Sequence, residues 1–140
     1  MGLRRLAREY ALQILYGIDV CQLEAGEAQQ SFWQNHRCGR KVLEFATILV
    51  EGALKNLNQI DGLIRKYAKN WDIERMASID RNILRQATFE ILYLLDIPVN
   101  VIINEAVELA KKYSTGESGK FVNGILDKIS ETRSAETLKE

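Results

Sequence analysis

The sequence predicts an all-α protein, one compact bundle of about six or seven helices. Apolar residues recur at three- and four-residue spacing along most of the 140 residues, which is the helical period. The one β-like run, Val99 to Ile103, has no partner run with which to build a sheet. A single proline, nine glycines and no Gly/Pro/Ser-rich linker or fixed-period repeat leave one domain, expected over residues 1–130, with 131–140 a frayed C-terminal tail.

The elements follow in order. Ala7, Tyr10, Ala11, Ile14, Leu15 and Ile18 form one apolar stripe, and the helix carrying it is expected to end near Cys21 to Leu23, before the polar stretch Glu24 to Gln30. A shorter helix holds Phe32 and Trp33 and is interrupted at Gly39. Val42, Ala46, Leu49, Val50, Ala53 and Leu57 make a further stripe, continued by Ile60, Leu63, Ile64, Tyr67 and Ala68, with Asp61-Gly62 as the soft point. Ser78 to Leu95 repeats the pattern and stops before Pro98, whose ring disfavours a helical Ile97. Val99 to Ile103 is read as an extended lead-in to a helix carrying Ala106, Val107 and Ala110. Ser114-Thr115-Gly116-Glu117 has the spacing of a capping box, starting a last helix over Phe121, Val122, Ile125, Leu126 and Ile129.

Composition excludes several classes of function. With 46% hydrophobic and 27% charged residues, the chain is neither a disordered tail nor a collagen-like repeat. No apolar run reaches the 18 or so residues of a bilayer span, and the charged N-terminus has no signal core, so the expectation is a soluble, cytoplasmic protein. Cys21 and Cys38 are too few to staple a fold of this size, and with His36 they lack metal-ligand spacing, so neither a disulfide framework nor a metal or other cofactor is expected. His36 lies in a polar stretch and reads as exposed. No nucleophile elbow, phosphate-cradling loop or zinc-protease motif occurs. Glu105 and Glu108 share a helix face, but Lys111 and Lys112 follow at ion-pair spacing, so they read as a solvated face rather than paired catalytic acids. An enzyme is not expected.

Nineteen basic residues balance nineteen acidic ones, so any polyanion site must be a local patch. Arg4, Arg5 and Arg8 are spaced to share one side of the first helix, away from its stripe. A helix N-terminus carries roughly half a positive charge, so arginines clustered there oppose the dipole unless a polyanion compensates. The cluster is either a solubilising basic end or a phosphate-binding one. Lys120-Phe121, at the start of the last helix, pairs a cation with a ring that can stack on a base. Equally, Phe121 can be core and Lys120 solvated. Arg65, Lys66, Tyr67 and Lys69 form a third basic group, in which the stripe claims the Tyr67 ring for the core.

Longer strings of residues are more specific. Asn104-Glu105-Ala106-Val107-Glu108-Leu109-Ala110-Lys111-Lys112-Tyr113, followed by Gly119-Lys120-Phe121-Val122-Asn123-Gly124-Ile125-Leu126-Asp127, resembles the C-terminal signature of the NusB family of transcription antitermination factors. Arg4 to Tyr16 is similar to that family's arginine-rich first segment, and Asp80-Arg81-Asn82-Ile83-Leu84-Arg85, with Glu90 and Ile97-Pro98, to its middle. The matches keep family order over roughly residues 4–130.

The resemblance implies an all-helical RNA-binding protein that pairs with NusE, a small-subunit ribosomal protein, to recognise the boxA element of nascent RNA. That pair joins other Nus factors on RNA polymerase and suppresses termination in ribosomal RNA operons. Carried over by position, Arg4, Arg5, Arg8, Tyr67, Lys120 and Phe121 would face RNA. Tyr16 and Asp80 would face NusE, and Glu117 would modulate RNA affinity. The arginine segment is shorter than in some members, with Leu6 interrupting it, which favours dependence on the partner. The same helical domain also resembles the N-terminal part of certain ribosomal-RNA cytosine methyltransferases. Those continue into a catalytic domain with a cofactor-binding glycine loop, and these 140 residues contain neither. A helical protein-interaction module without sequence-specific RNA binding is the remaining alternative.

Overall fold

The computed structural model describes residues 2–139, with side chains to Arg133. Seven α-helices follow one another with short connections: α1 Leu3–Cys21, α2 Ala25–Asn35, α3 Arg40–Lys55, α4 Leu57–Tyr67, α5 Ser78–Tyr93, α6 Val99–Tyr113 and α7 Gly116–Lys139. No strand occurs among the described residues, so the all-α expectation holds.

Helix α5 is the axis of the molecule, packed against α1, α3, α4, α6 and α7. It is therefore buried almost all round, polar residues included: Asp80, Asn82, Gln86, Thr88 and Glu90 are enclosed beside Ile83, Leu84, Ala87 and Ile91. Buried polar groups are costly unless hydrogen-bonded, and most of these are used to tie helices together. Asn82 donates to Asp19 at 2.9 Å, Gln86 donates to the Arg8 carbonyl at 3.0 Å, and Glu90 accepts from Arg8 at 2.8 Å. The apolar core fills the remaining space, with Leu12, Leu49, Ile60, Ile64, Ile102, Leu126 and Ile129 fully enclosed.

Several boundaries differ from the sequence expectation, each for a local reason. α1 ends where expected, closed by Gln22 in the left-handed region (φ 54°), whose side chain donates to the Asp19 carbonyl. Glu24 to Gln30 is not a loop. The Glu24 carboxylate accepts from the Gly26 and Glu27 amides at 2.9 and 2.8 Å, a side-chain cap that starts α2. The break in the long stripe falls at Asn56 rather than Asp61-Gly62. Asn56 closes α3 by donating from its side chain to the Gly52 carbonyl, whereas Asp61 is buried within α4 and gripped by the Arg85 fork at 2.9 and 2.9 Å. Val99 to Ile103 is helical, not extended: starting α6 at once puts Ile102 and Ile103 on the same buried stripe as Ala106, Leu109 and Ala110.

The start of α7 is capped one residue later than the Ser114–Glu117 box. Thr115 Oγ1 accepts from the Ser118 amide at 3.1 Å, and Glu117 points to solvent. Residues 131–133 are not a frayed tail. The helix runs on to Lys139, and Arg133 donates to the carbonyls of Glu90, Ile91, Leu94 and Ile97. The side chains of residues 134–140 lie outside the described part. His36, read as exposed, is half-buried and stacked on Phe32, centroids 3.9 Å apart.

Candidate nucleic-acid interface

The expected RNA-facing residues fall into two groups. The arginine group lies at the start of α1. Its three members share one side of α1, as their spacing suggests, and line one depression, but they differ in depth. Arg8 sits between buried Ala7 and Glu9 and is itself 4% exposed. Its Nη2 and Nε donate to the Glu90 carboxylate at 2.8 to 3.2 Å. Burial pushes the Glu90 carboxyl above its ordinary range, and the Arg8 fork opposes that push. Arg8 is thus a structural cation, placed by the geometry under the surface rather than on it. Arg5 is half-exposed and grips Glu105 on α6 through Nε and Nη2 at 3.0 and 2.6 Å. Arg4 is exposed, its guanidinium 4.8 Å from the Phe45 ring centroid. Acids temper this end. Glu9, Glu105 and Glu108 line the same depression as Arg5, Arg8 and Lys112.

The second group lies where the end of α4 and the loop after it meet the start of α7. Tyr67, Lys120 and Phe121, distant in sequence, line one groove of about 340 Å³ together with Lys69, Trp71 and Lys128. Three lysines and no acid face it. Phe121 is half-buried. Its inner edge joins the core while its ring meets Trp71 edge-to-face, centroids 5.5 Å apart. Lys120 is 82% exposed, with Glu117 at 4.0 Å as a loose neighbour. Trp71 is 58% exposed, the most conspicuous residue that the sequence reading missed. Its signal was available, since it stands in Asn70-Trp71-Asp72, outside every apolar stripe. Such a ring beside lysines can stack on an unpaired base while the ammonium groups meet phosphates.

The two partner-facing candidates are on α1 and at the start of α5. Tyr16 is half-buried on α1. Asp80 is enclosed, accepting from the Ser118 hydroxyl at 3.1 Å, and it lines a second cavity with Trp71, Met76 and Phe121. The Asp80–Ser118 bond pins the start of α7 to the start of α5, which fixes where Lys120 and Phe121 project. Among the described residues there is no cluster of three or more His, Cys, Asp or Glu suited to a metal. None of the described helices is long and apolar enough to cross a membrane.

This arrangement of helices is shared with known proteins. The NusB family model matches residues 5–131. The chain belongs to the NusB family. The transcription antitermination protein NusB of Syntrophus aciditrophicus is 46% identical over 129 residues, covering 92% of this chain and 80% of that protein. Its counterpart in Syntrophotalea carbinolica is 48% identical, covering 94% of each chain. Among solved structures, the antitermination factors NusB and NusE in complex with dsRNA match with a TM-score of 0.86 at 30% identity, covering 94% of this chain and 98% of that one. NusB membership agrees with the all-helical fold.

Proposed function

We propose that this protein is a transcription antitermination factor that pairs with NusE, binds the boxA element of nascent RNA and suppresses termination in ribosomal RNA operons. It acts within a larger assembly of Nus factors on RNA polymerase, and so in the cytoplasm, and it carries no catalytic step of its own. The observation that carries the RNA half of this reading is the groove in which Tyr67, Trp71 and Phe121 stand beside Lys69, Lys120 and Lys128 with no facing acid. Aromatic faces and ammonium groups in one groove suit single-stranded RNA, whose bases are free to stack. Arg4 and Arg5 add phosphate attraction at the start of α1, Arg8 positions that end through Glu90, and Tyr16 and the Asp80 region face NusE. Zero net charge makes the attraction local, so affinity is expected to depend on the partner.

Fluorescence anisotropy of a labelled boxA-type RNA, titrated with this protein, with NusE and with both, tests the reading. A scrambled RNA of equal length and two salt concentrations complete the experiment. The pair is expected to bind the boxA-type RNA more tightly than either protein alone and more tightly than the scramble. Equal binding to both RNAs by the pair would leave a helical protein-interaction module. Phe121→Ala and Trp71→Ala are each expected to weaken boxA binding by about 1–3 kcal/mol, the usual worth of one base–aromatic stack.

A further inference from the structure

The arginine end contains its own competitor for phosphate. Arg5 uses Nε and Nη2, the edge best shaped for a paired-oxygen anion, on the two oxygens of Glu105. Glu105 also lies 3.8 Å from Arg8 Nη1, so it is held from two sides. Its side chain is only 15% exposed. Hydrogen bonding and charge from Arg5, followed by the charge of Arg8, hold the Glu105 carboxyl below the ordinary range, so it stays ionised at neutral pH. A phosphate reaching Arg5 must displace this carboxylate or take the remaining edge of the guanidinium beside a like charge. Glu117, by contrast, stands 4.0 Å from Lys120 with both side chains more than four-fifths exposed, where water screens the interaction. The better-placed acidic brake is on α6.

We propose that Glu105 limits the RNA affinity of this protein by occupying the phosphate-binding edge of Arg5. The inference rests on the RNA-binding reading above and deepens it: an RNA phosphate exchanges with Glu105 for one guanidinium. The test is anisotropy with a fluorescein-labelled single-stranded boxA-type RNA and the full chain, with and without NusE, at about 50 and 200 mM salt. Glu105→Gln keeps a hydrogen-bond acceptor while removing the charge. It is expected to bind RNA about three- to tenfold more tightly at the lower salt, as removal of one unit charge a few ångströms from a phosphate implies. The slope of log affinity against log salt is expected to steepen by about 0.7, one additional phosphate contact on a single strand. In an Arg5→Gln background the gain should vanish.

Unchanged or weaker binding by Glu105→Gln, or a gain that persists without Arg5, would overturn the proposal. Weaker binding would mean that Glu105 positions Arg5 for RNA instead of withholding it. Glu105→Ala, at a helical site that tolerates alanine, gives the same comparison should the glutamine variant melt early. The two readings fail separately. Loss of boxA preference by the wild-type pair counts against antitermination, whereas the Glu105 comparison holds for any single-stranded RNA.

Discussion

Arg8 and Glu90 form a pair that neither partner can leave without consequence. Both are almost wholly enclosed, with side chains 5% and 2% exposed, so the charge left by a single deletion stays buried. Arg8→Ala is expected to destabilise the protein by about 3–5 kcal/mol, whereas replacing both residues with apolar ones of similar volume should recover much of that loss. Urea denaturation of the single and double variants checks this. A steric counterpart lies at Gly52 on α3, where an added Cβ would fall 2.1 Å from Cζ of the Phe89 ring. Because Phe89 is itself buried, the ring cannot swing aside freely. Gly52→Ala is expected to cost about 1–3 kcal/mol, the usual range for overpacking a filled core, and a thermal melt reads it directly. The Arg8–Glu90 pair explains why spacing alone could not show that Arg8 is buried. The period of a helix tells which residues share a side, but a buried carboxylate 82 residues away decides that this arginine belongs inside.

Among the helices, α7 shows best what periodicity can and cannot reveal. Its apolar stripe ends at Ile129, and a reading by hydrophobic spacing stops there. Beyond that stripe, Arg133 ties the helix to the C-terminal end of α5 by donating to the carbonyls of Glu90, Ile91 and Leu94, of which Glu90 and Leu94 also accept from the Leu94 and Ile97 amides. Burial holds the Arg133 guanidinium below its ordinary range, yet it remains the donor for four carbonyls. Arg133→Ala is expected to cost about 1–3 kcal/mol, because the Ile91 and Ile97 carbonyls lose the donor that Arg133 supplies. Truncation after Thr132 should lose at least as much, whereas a dispensable tail would leave the urea midpoint unchanged. The stripes of α1, α3 and α5 were legible because each buries a single apolar face or core run. The break at Asn56 and the start of α6 were not. They depend on the Asp61–Arg85 ion pair and on where Ile102 and Ile103 must lie. The same limit applied to the candidate interface. Tyr67 and Lys120-Phe121 could be singled out separately, but only the meeting of α4 and α7 puts them in one groove with Trp71.

Across the whole molecule, ion pairs join helices that also pack through the apolar core. Asp19 on α1 accepts from Arg81 and Asn82 on α5 at 2.8 and 2.9 Å, with Arg85 at 3.3 Å, and Arg85 reaches on to Asp61 on α4. Burial alone would raise the Asp19 carboxyl, but the bonds from Asn82 and Arg81 and the charges of Arg81 and Arg85 together hold it below its ordinary range. Glu105 is lowered in the same direction by Arg5. A carboxyl that ionises more readily in the folded chain means that the unfolded chain binds more protons in acid. Its contribution is therefore present above the ordinary carboxylate range and is lost as pH falls through the lowered folded value. Glu90, raised by burial, runs the other way and offsets part of the loss. Melting temperature is expected to be level near neutrality and to fall below about pH 4, where unperturbed carboxylates titrate. Asp19→Asn removes the charge that Arg81 and Arg85 share while keeping an acceptor. Its melting temperature should lie below that of the wild type at pH 7, and the two curves should converge as pH falls below about 4. A constant gap across that range would show that Asp19 acts through shape and hydrogen bonding alone, with the helices held together by packing rather than by charge.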